Sequence, residues 1–242
     1  MNPILSVKTR LSTAYFRCRS VDQYTRIRIV PWPDLKRLGD DGCAWVVPVG
    51  SLPKGAVCYC VGAGENISFD LALARDLQCE VHTFDPTPRA IAHVTALKAE
   101  LPFRFSFHPI GVWMRDERVR FYAPKYPNHV SHSIVNLQRT DEFFEGECKR
   151  LRTIMNELGH RSLDLVKLDI EGAEHDVIES MIADGISPTV LAVEFDEIHH
   201  PLDGGAPSRI KAVVEKLINV GYSLVSVDGP NYTFVIGPAG CG

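Results

Sequence analysis

The sequence predicts an α/β fold, a mostly parallel sheet with helices on both faces and a C-terminal antiparallel hairpin. Ala56–Val61 is a continuous apolar run that ends at a glycine turn, as expected of a strand buried on both faces. Strand and helix patterns then alternate along the chain, which is typical of a doubly wound sheet. Tyr222–Val227 and Tyr232–Ile236 flank the turn residues 228–231, which predicts the closing hairpin.

The order of elements follows from apolar periodicity and turn residues. Asn66 is the expected cap of a helix over Ile67–Leu77, and Ser208 of a helix ended by Gly221. Other helices are expected from Pro88 to Leu101, over Leu151–Leu158 and over Glu174–Ala183. The remaining strands are expected at Glu80–Phe84, Phe103–Phe107, Asp116–Tyr122, Leu163–Leu168 and Thr189–Phe195.

The prolines of residues 1–50 and a short apolar piece at Ala44–Val47 predict an N-terminal extension packed on the core. Residues 51–242 are expected to form the domain that holds the functional site. With 242 residues, the chain is long enough to bury one sizeable core.

Composition excludes several classes of function. The formal net charge of −4 argues against a nucleic-acid surface. No apolar run approaches the ~20 residues of a membrane span, and the first ten residues lack a signal-peptide pattern, so a cytoplasmic location is expected. The 7 cysteines are an odd number without CxxC spacing, which predicts reduced thiols, Cys18 and Cys241 among them, and no zinc site built from them.

The glycine turn predicts a nucleoside cofactor. Gly62 and Gly64 follow the first strand, and Asp85 ends the next strand about twenty residues later, where a βαβ unit binds a ribose. A dinucleotide fingerprint has a third glycine where this chain has Ile67. Glu65 near the helix N-terminus would repel a pyrophosphate but attract the cationic S-adenosylmethionine, which is therefore the expected cofactor. Glu65 could equally serve only to complement the helix dipole.

Acidic side chains follow two further strands. Asp169 and Glu171 come after the fourth strand and Glu194 ends the fifth, so they are expected to meet Asp85 at one edge of the sheet. Possible roles for the first two are a general base, a divalent-ion site or binding of the methionine end, with a capped helix start as the structural alternative. Ser131 and His132 lie in a loop that could reach over the crevice. A metal held by Glu194, Asp196, His199 and His200 is possible, but no metal site is predicted.

These residues stand in segments that resemble the FkbM family of S-adenosylmethionine-dependent methyltransferases. The resemblance spans about residues 45–236 and is carried by residues 59–70, 84–88, 131–135, 168–174 and 193–195. It implies a Rossmann-like class I methyltransferase fold and O-methylation of a hydroxyl on a sugar or other small molecule. Cys60 and Asn66 stand where the general methyltransferase turn has an acidic residue and a glycine. The candidate cofactor residues are Gly62, Gly64, Glu65, Asp85, Pro86, Ser131 and Asp169, and the candidate catalytic residues are Asp169, Glu171, Glu194 and His132.

Two rival functions share parts of this pattern. A nicotinamide-dependent oxidoreductase has the same βαβ unit, and a non-catalytic S-adenosylmethionine-binding domain would keep the glycine turn and Asp85. The sequence leaves open the acceptor, any need for a metal, the identity of the base and the oligomeric state.

Overall fold

A seven-stranded sheet forms the centre of the computed structural model, which describes residues 21–126 and 130–237. Cys18, Cys241 and the first twenty residues of the expected extension lie outside these ranges. The strands, numbered along the whole chain, are β3 (Val57–Val61), β4 (Glu80–Phe84), β5 (Phe105–His108), β9 (Leu165–Leu168), β10 (Val190–Glu194), β11 (Tyr222–Asp228) and β12 (Asn231–Ile236).

The strand order is β5-β4-β3-β9-β10-β12-β11. Strands β5, β4, β3, β9 and β10 are parallel to one another, and β12 pairs antiparallel with both β10 and β11. The α/β class, the mostly parallel sheet and the hairpin are therefore confirmed. The chain leaves β3 in one direction and returns to β9 on its other side, so a crevice opens between the carboxyl ends of these two strands.

In the described part of the chain five α-helices cover the sheet, and apolar residues pack against both of its faces. They are α1 (Ser68–Arg75), α2 (Pro88–Ala96), α3 (Leu151–Leu158), α4 (Glu174–Ala183) and α5 (Ala206–Asn219). Tyr59 and Val61 of β3 lie in one core cluster and Cys58 and Cys60 in the other, because successive strand residues point to opposite faces. The strand is consequently apolar at every position.

Two small sheets flank the central one. β1 (Leu35–Leu38) pairs with β2 (Trp45–Pro48), and β2 is buried against β10, β11 and β12. Near the crevice, β8 (Phe143–Lys149) lies between β6 (Gly111–Val112) and β7 (Glu117–Tyr122).

Several expected boundaries and caps are wrong. Phe103 is fully exposed in a turn, and β5 begins only at Phe105, because the alternation of phenylalanines extends beyond the paired residues. Ser208 lies inside the first turn of α5, and Gly205 is the N-cap of that helix. The first turn tolerates Pro207 because a backbone N–H at this position would have no partner within the helix. Asn66 accepts a hydrogen bond from Ser68 N–H at 3.0 Å, but α1 begins only at Ser68 and ends at Arg75, so Ile67 and Leu77 lie outside it.

Candidate functional site

The glycine turn closes tightly against the loop after β9. Gly62 has φ 90°, and a Cβ atom at this position would lie 1.9 Å from the carbonyl oxygen of Asp169. Glycine is therefore required here both by the left-handed backbone and by the close approach of the second chain segment. Gly64 has φ 51°, and its Cβ position would lie 3.4 Å from Val130, so the turn also contacts the loop that precedes Ser131.

Asp85, directly after β4, is buried and accepts four hydrogen bonds. Its Oδ2 accepts from the N–H groups of Ala63 and Gly64 at 2.9 and 3.0 Å. Its Oδ1 accepts from the N–H and the hydroxyl of Thr87 at 2.8 and 2.7 Å. A carboxylate has about four lone-pair sites, so a ligand hydroxyl can bond to Asp85 only by replacing one of these donors. The Thr87 hydroxyl is the one donor of the four that a side-chain rotation removes.

Glu65 lies at the rim of the crevice. Its carboxylate forms two hydrogen bonds with the guanidinium of Arg89 on α2, at 3.0 and 2.5 Å. The charge that the sequence offered to a cationic ligand is thus already paired with an arginine in this structure.

The turn between β9 and α4 is held by Glu174, the first residue of α4, and by Ser133. Glu171 has φ 56°, a strained conformation for a residue with a side chain. The Glu174 carboxylate accepts hydrogen bonds from Ile170 N–H and Gly172 N–H at 3.1 Å each, and Ser133 donates its hydroxyl to the Glu171 carbonyl at 2.6 Å. The strand does not continue through Asp169 and Glu171, so these side chains meet because of the turn.

Lys167 on β9 lines the candidate site, and the sequence analysis missed it. It is 1% exposed, and its ammonium lies 2.9 Å from Asp169 Oδ2 and donates to the Gly62 carbonyl at 2.6 Å. Burial opposes its charge, yet the carboxylates of Asp169 and Asp70 hold the pKa of Lys167 above its usual value. A lysine inside the apolar segment Leu165–Leu168 is the signal that could have found it.

Beside this lysine, carboxylates outnumber cations. We call the acidic cluster the five residues Asp169, Glu171, Glu174, Glu194 and Asp196, whose charges act on one another. Burial raises the pKa of Glu171 to about 7, with Asp169 adding to the shift and a Ser131 hydrogen bond opposing it. Burial likewise raises the pKa of Glu174 and of Glu194 to about 8.

One carboxylate oxygen of the acidic cluster, Oδ2 of Asp196, is buried and has no hydrogen-bond partner among the described residues. Burial and the neighbouring carboxylates raise the pKa of Asp196. Oxygen atoms of Asp169, Glu171 and Asp196 lie within 4.8 Å of one another. A buried group of this kind is stabilised by a positive charge placed among the carboxylates.

The crevice between the glycine turn and the acidic cluster has a volume of about 300 Å³, in the range of small-molecule sites. Of the sequence-predicted residues it is lined by Gly62, Gly64, Glu65, Asp85, Pro86, Ser131, His132, Asp169, Glu171 and Glu194. Lys167, Thr87, Gly42 and Cys43 also line it. His199 and His200 are exposed on the turn after β10 and do not line the crevice.

His132 is half-buried in the loop over the crevice. Its Nδ1 lies 3.0 Å from the Val130 carbonyl, and its ring packs edge-on against Phe144 of β8 at 5.3 Å between centroids. Because Val130 contacts the glycine turn, this loop joins the small sheet to the glycine-turn side of the crevice.

In the part of the chain that the structure describes, every helix is too short or too polar to cross a membrane.

Comparisons with known proteins find methyltransferase-like relatives of this chain. The chain is 31% identical over 143 residues to the probable methyltransferase-like protein 24 of Rattus norvegicus, which covers 58% of this chain and 32% of that protein. It is 29% identical over 142 residues to the Homo sapiens protein of the same name, with the same coverage. The chain thus spans about a third of the length of these curated relatives.

Among solved structures, the precorrin-6y C5,15-methyltransferase of Geobacter metallireducens GS-15 superposes with a TM-score of 0.44 at 13% identity, covering 78% of this chain and 84% of that one. A family model described as the methyltransferase FkbM domain matches residues 59–224, from the middle of β3 into β11. The match includes the glycine turn, Asp85, the loop of His132 and the acidic cluster. The chain therefore belongs to the FkbM methyltransferase domain family.

Proposed function

We propose that this chain uses S-adenosylmethionine to methylate a hydroxyl oxygen of a sugar or another small molecule. The observation that carries the proposal is one crevice with two unlike walls. One wall is the glycine turn held by Asp85, and the other is formed by Asp169, Glu171 and Glu194 of the acidic cluster. The first wall suits a ribose, and the second suits a cationic group next to a hydroxyl that must lose a proton.

The electrostatics of the acidic cluster support this choice of cofactor. The raised pKa of Glu194, which lines the crevice, and the Asp196 oxygen that has no partner among the described residues support the binding of a positive charge, and S-adenosylmethionine carries a sulfonium and an ammonium. Asp85 would hold the ribose hydroxyls after Thr87 turns its hydroxyl away. Gly62, Gly64 and Pro86 would line the nucleoside side, and Glu65, Ser131 and Asp169 the remainder of the cofactor.

Bound S-adenosylmethionine supplies an electrophilic methyl group, which leaves the chain to align and deprotonate the acceptor. Glu171 is the proposed base, because a carboxyl with a pKa of about 7 exchanges protons readily near neutral pH. Glu171 would accept the proton of the acceptor hydroxyl while the bound cofactor supplied the methyl group. Glu194, Asp169 and His132 would then orient the acceptor hydroxyl.

The N-terminal segment contributes to the same site. Gly42 and Cys43 line the crevice, which supports the proposal that residues 1–50 form an extension over the 51–242 domain and help to enclose the acceptor. The acceptor, the whole-protein activity and a cytoplasmic location belong to this proposal, since the curated relatives are much longer than the matched segment.

Thermal unfolding with S-adenosylmethionine, S-adenosylhomocysteine and NADH tests the cofactor first. Ligand at about a hundred times its dissociation constant should raise the melting temperature by roughly 5–10 °C. We expect this shift with the adenosyl ligands and none with NADH. A shift with NADH alone would favour the oxidoreductase, and no shift with any ligand would contradict the proposal.

Transfer of a radiolabelled methyl group to a panel of sugars and phenols then tests the reaction. Label in a product ether supports an O-methyltransferase. Adenosyl binding with no transfer to any hydroxyl acceptor would instead favour the non-catalytic binding domain.

A further inference from the structure

A second group of polar side chains lies on the sheet away from the crevice. Glu80 and His82 are two residues apart on β4, and His160 follows the end of α3. His82 Nε2 lies 3.2 Å from Glu80 Oε1, and His160 Nε2 lies 3.5 Å from the same oxygen. One ligand atom from each of the three residues lies within 4.8 Å of the other two, and the crevice described above is lined by other residues.

The two separations to Glu80 agree with the edges of a metal tetrahedron. Zinc binds imidazole nitrogen and carboxylate oxygen at about 2.0–2.2 Å, so tetrahedral ligands at that radius lie about 3.3–3.6 Å apart. Two histidines and one carboxylate are also a donor set that zinc uses in sites with an open fourth position. The Glu80 side chain is 46% exposed, so a water can reach that position from solvent.

The other nitrogen of each imidazole already has a partner. His82 Nδ1 lies 3.0 Å from His108 Nε2, and His160 Nδ1 lies 2.7 Å from the hydroxyl of Tyr59. A histidine that binds a metal through Nε2 carries its proton on Nδ1 and donates it to a neighbouring acceptor. The His108 nitrogen and the Tyr59 oxygen can each accept such a hydrogen bond, so both rings are held with Nε2 next to the Glu80 carboxylate.

The backbone also positions these ligands before any metal arrives. Gly159 ends α3 in the left-handed conformation, with φ 76°, and His160 N–H donates to Met155 O at 2.8 Å. His82 lies on a paired central strand opposite Tyr59 and Ser106. A preorganised site loses little conformational freedom on binding.

We propose that Glu80, His82 and His160 form a binding site for one zinc-class divalent cation, with water as the fourth ligand. The cation would tie β4, which leads to Asp85, to the connection that precedes β9, the strand that carries Lys167 and leads to Asp169. It serves as a structural clip between the two strands that present the two walls of the crevice.

Titration of the metal-free full chain with ZnCl₂ by calorimetry, alongside thermal unfolding, tests the site. We expect one equivalent of zinc per chain and a rise in melting temperature of roughly 5–10 °C at about a hundred times the dissociation constant. MgCl₂ should give no such rise, since magnesium prefers all-oxygen ligands. Cobalt(II) in place of zinc should show the intense visible absorption of tetrahedral coordination.

Variants separate this site from binding by the cysteine thiols. Loss of the hydrogen bond that orients a metal-binding histidine weakens metal binding roughly 10–100-fold. His160→Gln and Glu80→Gln remove a ligand itself and should each weaken zinc binding by more than that. Tyr59→Phe should weaken it within that 10–100-fold range. His199→Gln, at an exposed histidine elsewhere, should leave it unchanged. Zinc binding that survives both ligand variants, or no stoichiometric binding by the wild-type chain, would overturn the proposal.

Discussion

Lys167 and Asp169 form an ion pair inside the structure, with 2.9 Å between Nζ and Oδ2. The same ammonium donates to the Gly62 carbonyl, so one side chain of β9 joins the acidic cluster to the glycine turn. The pair stands at the junction of the two central strands, where the crevice opens. Its loss should be felt both in stability and in the shape of the site.

Lys167→Met should destabilise the fold strongly. The substitution leaves Asp169 and buried Asp70 without their cation, and breaking a buried pair from one side costs about 3–5 kcal/mol. Chemical and thermal unfolding should show this loss, with a fall in melting temperature of roughly 6–20 °C. Lys216→Met, which breaks the exposed pair with Glu179, is the matched control and should cost at most about 1 kcal/mol. Equal effects of the two substitutions would contradict the role given to Lys167.

Gly62→Ala should disrupt the turn, because the added methyl group would overlap the Asp169 carbonyl. The left-handed backbone and the overlap together predict a loss of about 2–5 kcal/mol, measured by urea unfolding. Gly204→Ala, where a Cβ meets nothing within 4 Å, should change stability little. A Gly62→Ala protein with wild-type stability would show that the loop after β9 can move away freely.

Asp85→Ala should weaken binding of S-adenosylhomocysteine by about 10- to 100-fold, because hydrogen bonds to a charged group contribute roughly 1.5–3 kcal/mol. Calorimetric titration measures the change. The melting temperature of the free protein should also fall, since Asp85 holds Ala63 and Gly64 N–H. Asp41→Ala, at a fully exposed side chain, serves as the control. Unchanged affinity in Asp85→Ala would remove the ribose assignment.

Glu171→Gln should abolish most turnover while leaving cofactor binding within about threefold of wild type. A positioned general base contributes about 10²–10⁴ in rate, and glutamine keeps the size of the side chain without its basicity. Once an acceptor is identified, single-turnover methyl transfer measures this loss. Glu215→Gln, at an exposed position of α5, is the control. Full activity in Glu171→Gln would exclude this residue as the base.

Glu194→Gln should change how stability depends on pH. Burial raises the pKa of Glu194 to about 8 in the folded protein, against 4.5 for the free side chain. The folded state therefore holds this proton over a range where the unfolded state has lost it. The stabilisation is complete below about pH 4.5 and is lost as pH rises through about 8.

Glutamine cannot ionise, so the stability of Glu194→Gln relative to wild type should increase between pH 5 and pH 9. Urea unfolding of both proteins across that range measures the difference, with Glu215→Gln as the reference substitution. A constant difference at all pH values would mean that Glu194 ionises normally in the fold.

Much of this site could be predicted from the sequence because its signals are local. A buried parallel strand is apolar at every position, a glycine turn marks its end, and acidic residues follow two of the neighbouring strands. The carboxyl ends of parallel strands meet at one edge, which brings Asp85, Asp169, Glu171 and Glu194 to one crevice. The missed strand β8 and the wrong cap at Ser208 show the limit, since partner strands and exact helix starts depend on distant contacts.

The sequence by itself thus determined the α/β class, the closing hairpin and the residue types around the crevice. Only the tertiary structure decided which charges are paired. Glu65 is paired with Arg89 and Asp85 accepts from four donors, whereas one Asp196 oxygen has no partner within residues 21–126 and 130–237. The tertiary structure also brings His160 next to Glu80, which lies 80 residues earlier in the chain, and to His82. The physical reason is that periodicity reports which face of an element is buried, while an ion pair or a ligand set requires side chains from distant segments to lie within about 4 Å of each other.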